Sequence, residues 1–382
     1  MRGPTLFSAR WSTFAVFFAN GFGFGAWTTV IAPLKAMLGL SPGQLSIALL
    51  LMSIGGVIAM QPASRFVQRV GGTGRATQIT GIVYALVLTL PLFSPGLAVL
   101  CAATALLGGS ICLMDVSMNS HATYTEKLWG SAINSSFHAG WSLGGLAGTS
   151  FGALVLALHL ATHFLLLPAA VLVLAVVLLA SPHLGPGDTQ KHEPKPIFRL
   201  PERAIAGLAL VLTLCFMAEG AMADWSAIYL TTLGETAARA TAGYAAFSAL
   251  MVMGRMTGDF VVQRFGRAPV IGAGCALAAA GLIAATAFPY FAAVVAGFAL
   301  VGAGLSNVVP CVFSTAAARA SSPAAGISEV STAGFGGFLA GPPLIGGVAG
   351  RLGMRAGIGV IAVAASLAAV IALRPNAERK EA

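Results

Sequence analysis

SPHLGPGDTQKHEPKPIFRLPER, residues 181–203, is a long polar segment in a chain that is otherwise apolar almost throughout. Its prolines and charges mark a linker rather than a folded element. On either side of it the sequence reads as six apolar runs, so this one segment decides how the chain is organised. Of the 382 residues, 57% are hydrophobic and 9% are charged. An ordinary soluble domain is about half apolar and about a quarter charged, so this chain has too few charges to cover a globule.

The apolar runs fall at 11–31, 44–64, 76–93, 97–124, 131–157, 164–181, 204–231, 241–263, 269–287, 291–318, 324–350 and 356–373. Most are near the ~20 residues that a helix needs to cross about 30 Å of hydrocarbon. Barrel strands alternate in polarity over about ten residues, and these runs are apolar all round. The expected class is an all-α membrane protein of twelve transmembrane helices, with an N-terminal half at 1–181, a linker at 182–203 and a C-terminal half at 204–382.

The net charge of +9 suggests a nucleic-acid partner until the charges are placed on this topology. Lys and Arg then gather on the side of the termini and the linker, and only Lys35, Arg239, Arg351 and Arg355 fall on the other side. That asymmetry is the positive-inside signal. It places both termini in the cytoplasm of a bacterial-type inner membrane and removes the nucleic-acid reading. The first span lacks a small-residue cleavage site and is too long for a signal peptide, so it is expected to be retained. All five cysteines lie inside expected spans with no paired spacing, which predicts packing residues and neither a disulfide frame nor a zinc site.

The two halves also repeat each other in order. FGAWTTVI (24–31) matches MADWSAIY (222–229), aligning Trp27 with Trp225; QRVG (68–71) matches QRFG (263–266); WSLGGLAG (141–148) matches AGFGGFLA (333–340). Repeated halves in a polytopic membrane protein predict a pseudo-two-fold bundle with a site near the bilayer midplane.

An ionisable side chain within a span is costly and usually faces a cavity or a partner. Asp115 is the clearest case, with Asn119 four residues on and therefore on the same helix face. His121 points roughly the other way. In the fifth span Asn134, His138, Trp141 and Ser142 form one polar stripe, while Gly140, Gly144, Gly148 and Gly152 form another on nearly the opposite face. Small residues every four positions allow close helix approach, so the glycine face is expected to pack and the His138 face to line a cavity. The first span repeats the arrangement, with Asn20, Phe24, Trp27 and Thr28 on one side and Gly21 and Gly25 spaced for contact. Glu219 and Asp224 add carboxylates to the seventh span, Asn307 an amide to the tenth, and Ser328, Glu329 and Thr332 polar groups to the start of the eleventh. No nucleophile-base set, phosphate-binding loop or metal-ligand cluster appears, which excludes an enzyme and any cofactor as expectations.

At this point the sequence resembles the major facilitator superfamily, through its 6+6 layout, the QRFGR loop between spans eight and nine, and the long central loop. ANGFGFGAWTTVIAPLK, DVSMNSHA, FHAGWSLGGLAG, EGAMADWSAIYL and GRMTGD are similar to the YbjJ and MosC-like group within it. Two departures stand out. Gln68 and Gln263 occupy the place where the superfamily's loop signature carries an acid, and the fifth span has no Gly-Pro element of the drug/proton antiporter kind.

The resemblance implies that spans one, four, seven and ten line a central cavity. Asn20, Trp27, Asn119 and Asn307 of these spans, with His138 and Trp141 of the polar stripe in the fifth, are the expected substrate contacts, Asp115, Glu219 and Asp224 the expected proton-coupling carboxylates, and Arg69, Arg255, Asp259, Arg264 and Glu329, by their cytoplasmic level, the expected gate. Aromatic rings stack on sugar rings, although Trp also anchors helices at the interface. With amides, acids and Trp at mid-depth and no Lys or Arg there, the expected cargo is a small polar, sugar- or inositol-like solute. It would move by alternating access with protons as the coupling ion, through a monomer in the lipid bilayer. An exporter of amphipathic compounds and a non-transporting sensor or scaffold are the competing expectations.

Overall fold

A computed structural model describes residues 5–130, 133–161, 163–185, 187–188, 201–320 and 323–374. Most of the expected linker and both extreme termini therefore lie outside the described residues, as do the side chains of Asn134, Asp259 and Ser328. Every described element is helical, and no strand occurs among the described residues. Two compact units account for the chain, Met1–Lys195 with Ala227–Ser248, and Pro196–Ser226 with Ala249–Ala382.

The first unit contains α1 (Leu6–Met37), α2 (Pro42–Met60), the short α3 (Ala63–Arg69), α4 (Thr73–Val87), α5 (Leu97–Trp129), α6 (Asn134–Ala157) and α7 (His163–Leu184). The end of α8 (Ala206–Thr232), the short α9 (Ala237–Ala240) and the start of α10 (Ala242–Phe265) also belong to it. The second unit holds the rest of α8 and α10, with α11 (Arg267–Ala287), α12 (Phe291–Leu305), α13 (Val308–Arg319), α14 (Pro323–Leu352) and α15 (Met354–Leu373).

Ten helical segments among the described residues are long and apolar enough to cross a membrane. The other two expected spans are present as α10 and α14, helices of 24 and 30 residues. They are less apolar because α10 carries Arg255, Asp259 and Arg264, and α14 is rich in Gly, Ser and Thr with Glu329 and Arg351.

Helix ends follow local chemistry. Ser41 and Gln44 form a reciprocal capping box at α2, with Pro42 in the first turn where its missing N–H costs nothing. Two expected spans are broken at prolines. Pro91 cannot donate to the Val87 carbonyl, and the chain continues from α4 as a 3-10 turn over Leu90–Phe93. Pro310 cannot donate to the Ser306 carbonyl, and the tenth span divides into α12 and α13 at Asn307.

The helices approach through backbone rather than through side chains. On α6, a Cβ at Gly144 would run into the Phe18 carbonyl and one at Gly148 into the Phe22 carbonyl, while α1 offers Gly21 to the Trp141 carbonyl and Gly25 to that of Gly145. The expected glycine face of α6 is thus its seam with α1. The α2–α5 pair uses the same device at Gly55 and Gly108, tightened by the Thr104 hydroxyl donating to the Ala48 carbonyl at 2.8 Å. In the second unit Gly337 of α14 meets the Thr213 carbonyl of α8, and the Thr213 hydroxyl donates to Ala333 O at 2.8 Å. In lipid no hydrophobic effect separates helix from hydrocarbon, so close packing and interhelical hydrogen bonds supply the association.

Candidate functional site

α5 carries the most continuous polar feature. Asp115, Asn119, Thr123 and Lys127 follow one another at four-residue steps, so they occupy successive turns of one slowly drifting stripe. Asp115, Thr123 and Lys127 are exposed and Asn119 is half-buried. The Asn119 side-chain amide donates both to the Asp115 carboxylate and to the Asp115 carbonyl, each at 2.9 Å. The Thr123 hydroxyl donates to the Asn119 carbonyl at 3.0 Å. An open carboxylate at the middle of a spanning helix belongs beside water, since hydrocarbon would penalise it by several kcal/mol. The sequence-expected pair is therefore formed.

A second cluster gathers in the same unit around Asn20, which is 2% exposed. Its side-chain oxygen accepts from the Trp141 indole N–H at 2.8 Å, and its backbone carbonyl accepts from the Tyr84 hydroxyl at 3.2 Å. The remaining Asn20 amide nitrogen is buried with no partner among the described residues. The ring of Trp141, half-buried, lies 5.7 Å from that of Phe24, which meets Tyr244 at 6.4 Å. His138 is exposed, and its ring meets Phe17 edge-on at 5.4 Å. The structure thus joins Asn20 to Trp141 directly, a contact that spans 121 residues of sequence.

Other expected site residues occupy different surroundings. Trp27 and Trp225 are core residues, 1% and 0% exposed, and neither indole nitrogen has a partner among the described residues. Helix packing encloses Trp27 in this structure, as it does Asn20. Asn307 stands at the α12–α13 break and donates to the Gly254 carbonyl of α10 at 2.9 Å, with its oxygen against Gly258. Its amide is engaged in joining helices.

Glu219 and Asp224 are half-buried on α8, and Glu219 lies within the electrostatic reach of Arg255. One turn before Glu219, the buried Cys215 thiol approaches that of Cys275 on α11 to 3.8 Å, a pairing that sequence spacing did not disclose. Of the expected gate, Arg69 and Arg264 are exposed and Arg255 is half-buried. Glu329 is 3% exposed and accepts the Glu202 N–H at 2.9 Å, so its carboxylate holds the chain entering α8. Glu126 does the same at α6, accepting the Ile133 N–H at 2.8 Å.

Sequence reasoning missed His121 and Thr73 as partners. His121 is 1% exposed, and its Nδ1 lies 3.2 Å from the Thr73 hydroxyl. Among the described residues, no group of three or more His, Cys, Asp or Glu is placed to hold a metal ion.

Comparison with known proteins bears on the fold and the family. The sequence profile of the Major Facilitator Superfamily matches residues 13–328. An uncharacterised MFS-type transporter of Yersinia pestis is 34% identical over 370 residues, covering 95% of this chain and 96% of that protein. The membrane protein MosC of Rhizobium meliloti is 32% identical over 350 residues, covering 91% and 85%. Among solved structures, a mutant of the nucleoside transporter NupG superposes with a TM-score of 0.78 at 12% identity, over 95% of this chain and 98% of that one. A bacterial homologue of the lysosomal transporter Spinster, inward-facing and unoccupied, gives 0.75 at 14% identity, over 97% of each. These likenesses at low identity concern the fold.

Proposed function

For a chain that belongs to the Major Facilitator Superfamily of membrane transporters, we propose secondary transport of a small polar, hydroxyl-rich solute by alternating access, coupled to protons at Asp115. The single observation that carries this reading is the exposed Asp115 carboxylate, held at 2.9 Å by Asn119 on a polar stripe of α5. A carboxylate inside a spanning helix has few uses other than ion pairing or ion movement. Its side-chain partner among the described residues, Asn119, is a neutral amide that also serves a neutral carboxyl group, so the arrangement suits both protonation states. Glu219 and Asp224 are the supporting carboxylates in α8. Trp141 and Asn20 offer an aromatic face beside an amide, a combination suited to a sugar- or inositol-like ring. The protein works as a monomer in a bacterial inner membrane with both termini in the cytoplasm.

Proteoliposomes loaded with the purified protein and given a panel of sugars, polyols and amino sugars test this. An imposed proton gradient should drive accumulation of at least one of them. Uptake indifferent to the gradient in both wild type and Asp115→Asn would count against the coupling.

A second reading, export of amphipathic compounds, draws on the aromatic succession Trp141, Phe24, Tyr244 and Phe247. It predicts that loss of the protein sensitises cells to such compounds while polar-solute uptake stays normal.

A further inference from the structure

The first turn of α4 has no side-chain cap of its own, because its N-cap residue is Gly72. The cap comes from the chain beyond α7. Thr73 N–H donates to the Asp188 carbonyl at 3.1 Å, and Asp188 N–H returns a bond to the Thr73 hydroxyl oxygen at 3.0 Å. That hydroxyl also lies 3.2 Å from Nδ1 of buried His121, so three elements share one oxygen. Gly187 makes the docking possible twice over. Its φ of +72° is a conformation that other residues rarely adopt, and a Cβ there would overlap the Thr73 hydroxyl while standing 2.6 Å from Gly74 N and 2.9 Å from His121 Nδ1.

Next to this contact is a cavity of about 540 Å³, lined among others by Gln68, Thr73, Ser120, Thr123, Lys127 and Asp188. Thr123 and Lys127 are the last two members of the α5 stripe that begins at Asp115. The strap residue Asp188 is thus part of the wall at the end of the polar stripe.

We propose that Gly187–Asp188 is a releasable strap that closes the end of the α5 polar stripe, and that its undocking from Thr73 and His121 controls how readily solutes and protons reach Asp115. The second half of this statement rests on the reading of Asp115 as the coupling group. The first half does not.

The test uses the full-length protein in nanodiscs with Ser120→Cys as reporter, labelled by a charged maleimide and quantified at that residue by peptide mass spectrometry. Thr73→Val removes the shared hydroxyl, and Gly187→Val blocks the close approach. Each should raise the labelling rate at residue 120 at least tenfold and abolish hydrogen-exchange protection of the Asp188 amide, while Thr73→Ser should leave both unchanged. An unprotected Asp188 amide in the parent protein overturns the strap. Lost protection without faster labelling overturns its role as a closure. If both change and proteoliposome uptake does not, control over the path to Asp115 is overturned. If labelling responds as expected while Asp115→Asn still accumulates solute with the gradient, the closure stands and the coupling assignment falls.

Discussion

The Trp141 indole N–H donates to the Asn20 side-chain oxygen at 2.8 Å, and that single bond fixes which way the Asn20 amide faces. An indole nitrogen only donates, so it must meet the oxygen, and the amide nitrogen is left pointing elsewhere. The buried nitrogen, which has no partner among the described residues, therefore faces away from Trp141. Trp141→Phe keeps a ring near Phe24 but removes the donor, leaving the Asn20 oxygen without this partner. Thermal unfolding in detergent should show a loss of about 1–3 kcal/mol. If the pair contacts the cargo, KM for uptake should rise as well.

Asp115→Asn preserves an acceptor for the Asn119 amide and removes the ability to gain and lose a proton. Solute exchange without a gradient should continue at a rate near that of wild type, while gradient-driven accumulation disappears and uptake loses its dependence on pH. Equal loss of exchange and accumulation would instead mark Asp115 as a substrate contact.

The α1–α6 seam tolerates no side chain at its closest points. Gly148→Val must displace the Phe22 carbonyl, and overpacking of this kind costs about 1–3 kcal/mol or more. Gly336→Ala on α14 is the matched control, because a Cβ there meets nothing within 4 Å. The first variant should lower the unfolding temperature or the monodisperse yield, and the second should change neither.

Asn307→Ala separates a helix-joining role from a cargo role. Loss of its 2.9 Å bond to the Gly254 carbonyl should reduce stability by about 1 kcal/mol, with KM unchanged in a transport assay. A selective rise in KM at unchanged stability would return Asn307 to the substrate site.

Glu329→Gln retains an oxygen for the Glu202 N–H, whereas Glu329→Ala leaves that amide without this acceptor. The alanine variant should be the less stable by about 1–3 kcal/mol, read from thermal unfolding, and the glutamine variant close to wild type.

How far the sequence could be read follows from the range over which its signals act. The spans were legible because twenty apolar residues are a local property, and the glycine face of α6 because four-residue spacing is also local. The interruptions at Pro91 and Pro310 were legible in principle, since each proline removes a known backbone donor, yet the runs 76–93 and 291–318 were read as continuous on hydropathy alone. Partnerships across the chain were not legible. Nothing near Asn20 announces Trp141, nothing near His121 announces Thr73, and Cys215 and Cys275 meet only because α8 and α11 bring them together. The burial of Trp27 was not legible for a different reason. Helical spacing places it beside Asn20 and Phe24, but spacing does not distinguish a face that lines a cavity from one that another helix has covered.

The α1–α6 seam is written in glycine and main-chain atoms, so its closest contacts do not depend on the shape of neighbouring side chains. A side chain that flanks it, such as Phe24, can change without disturbing these main-chain contacts, so the frame that holds α1 to α6 is set apart from the surface it supports.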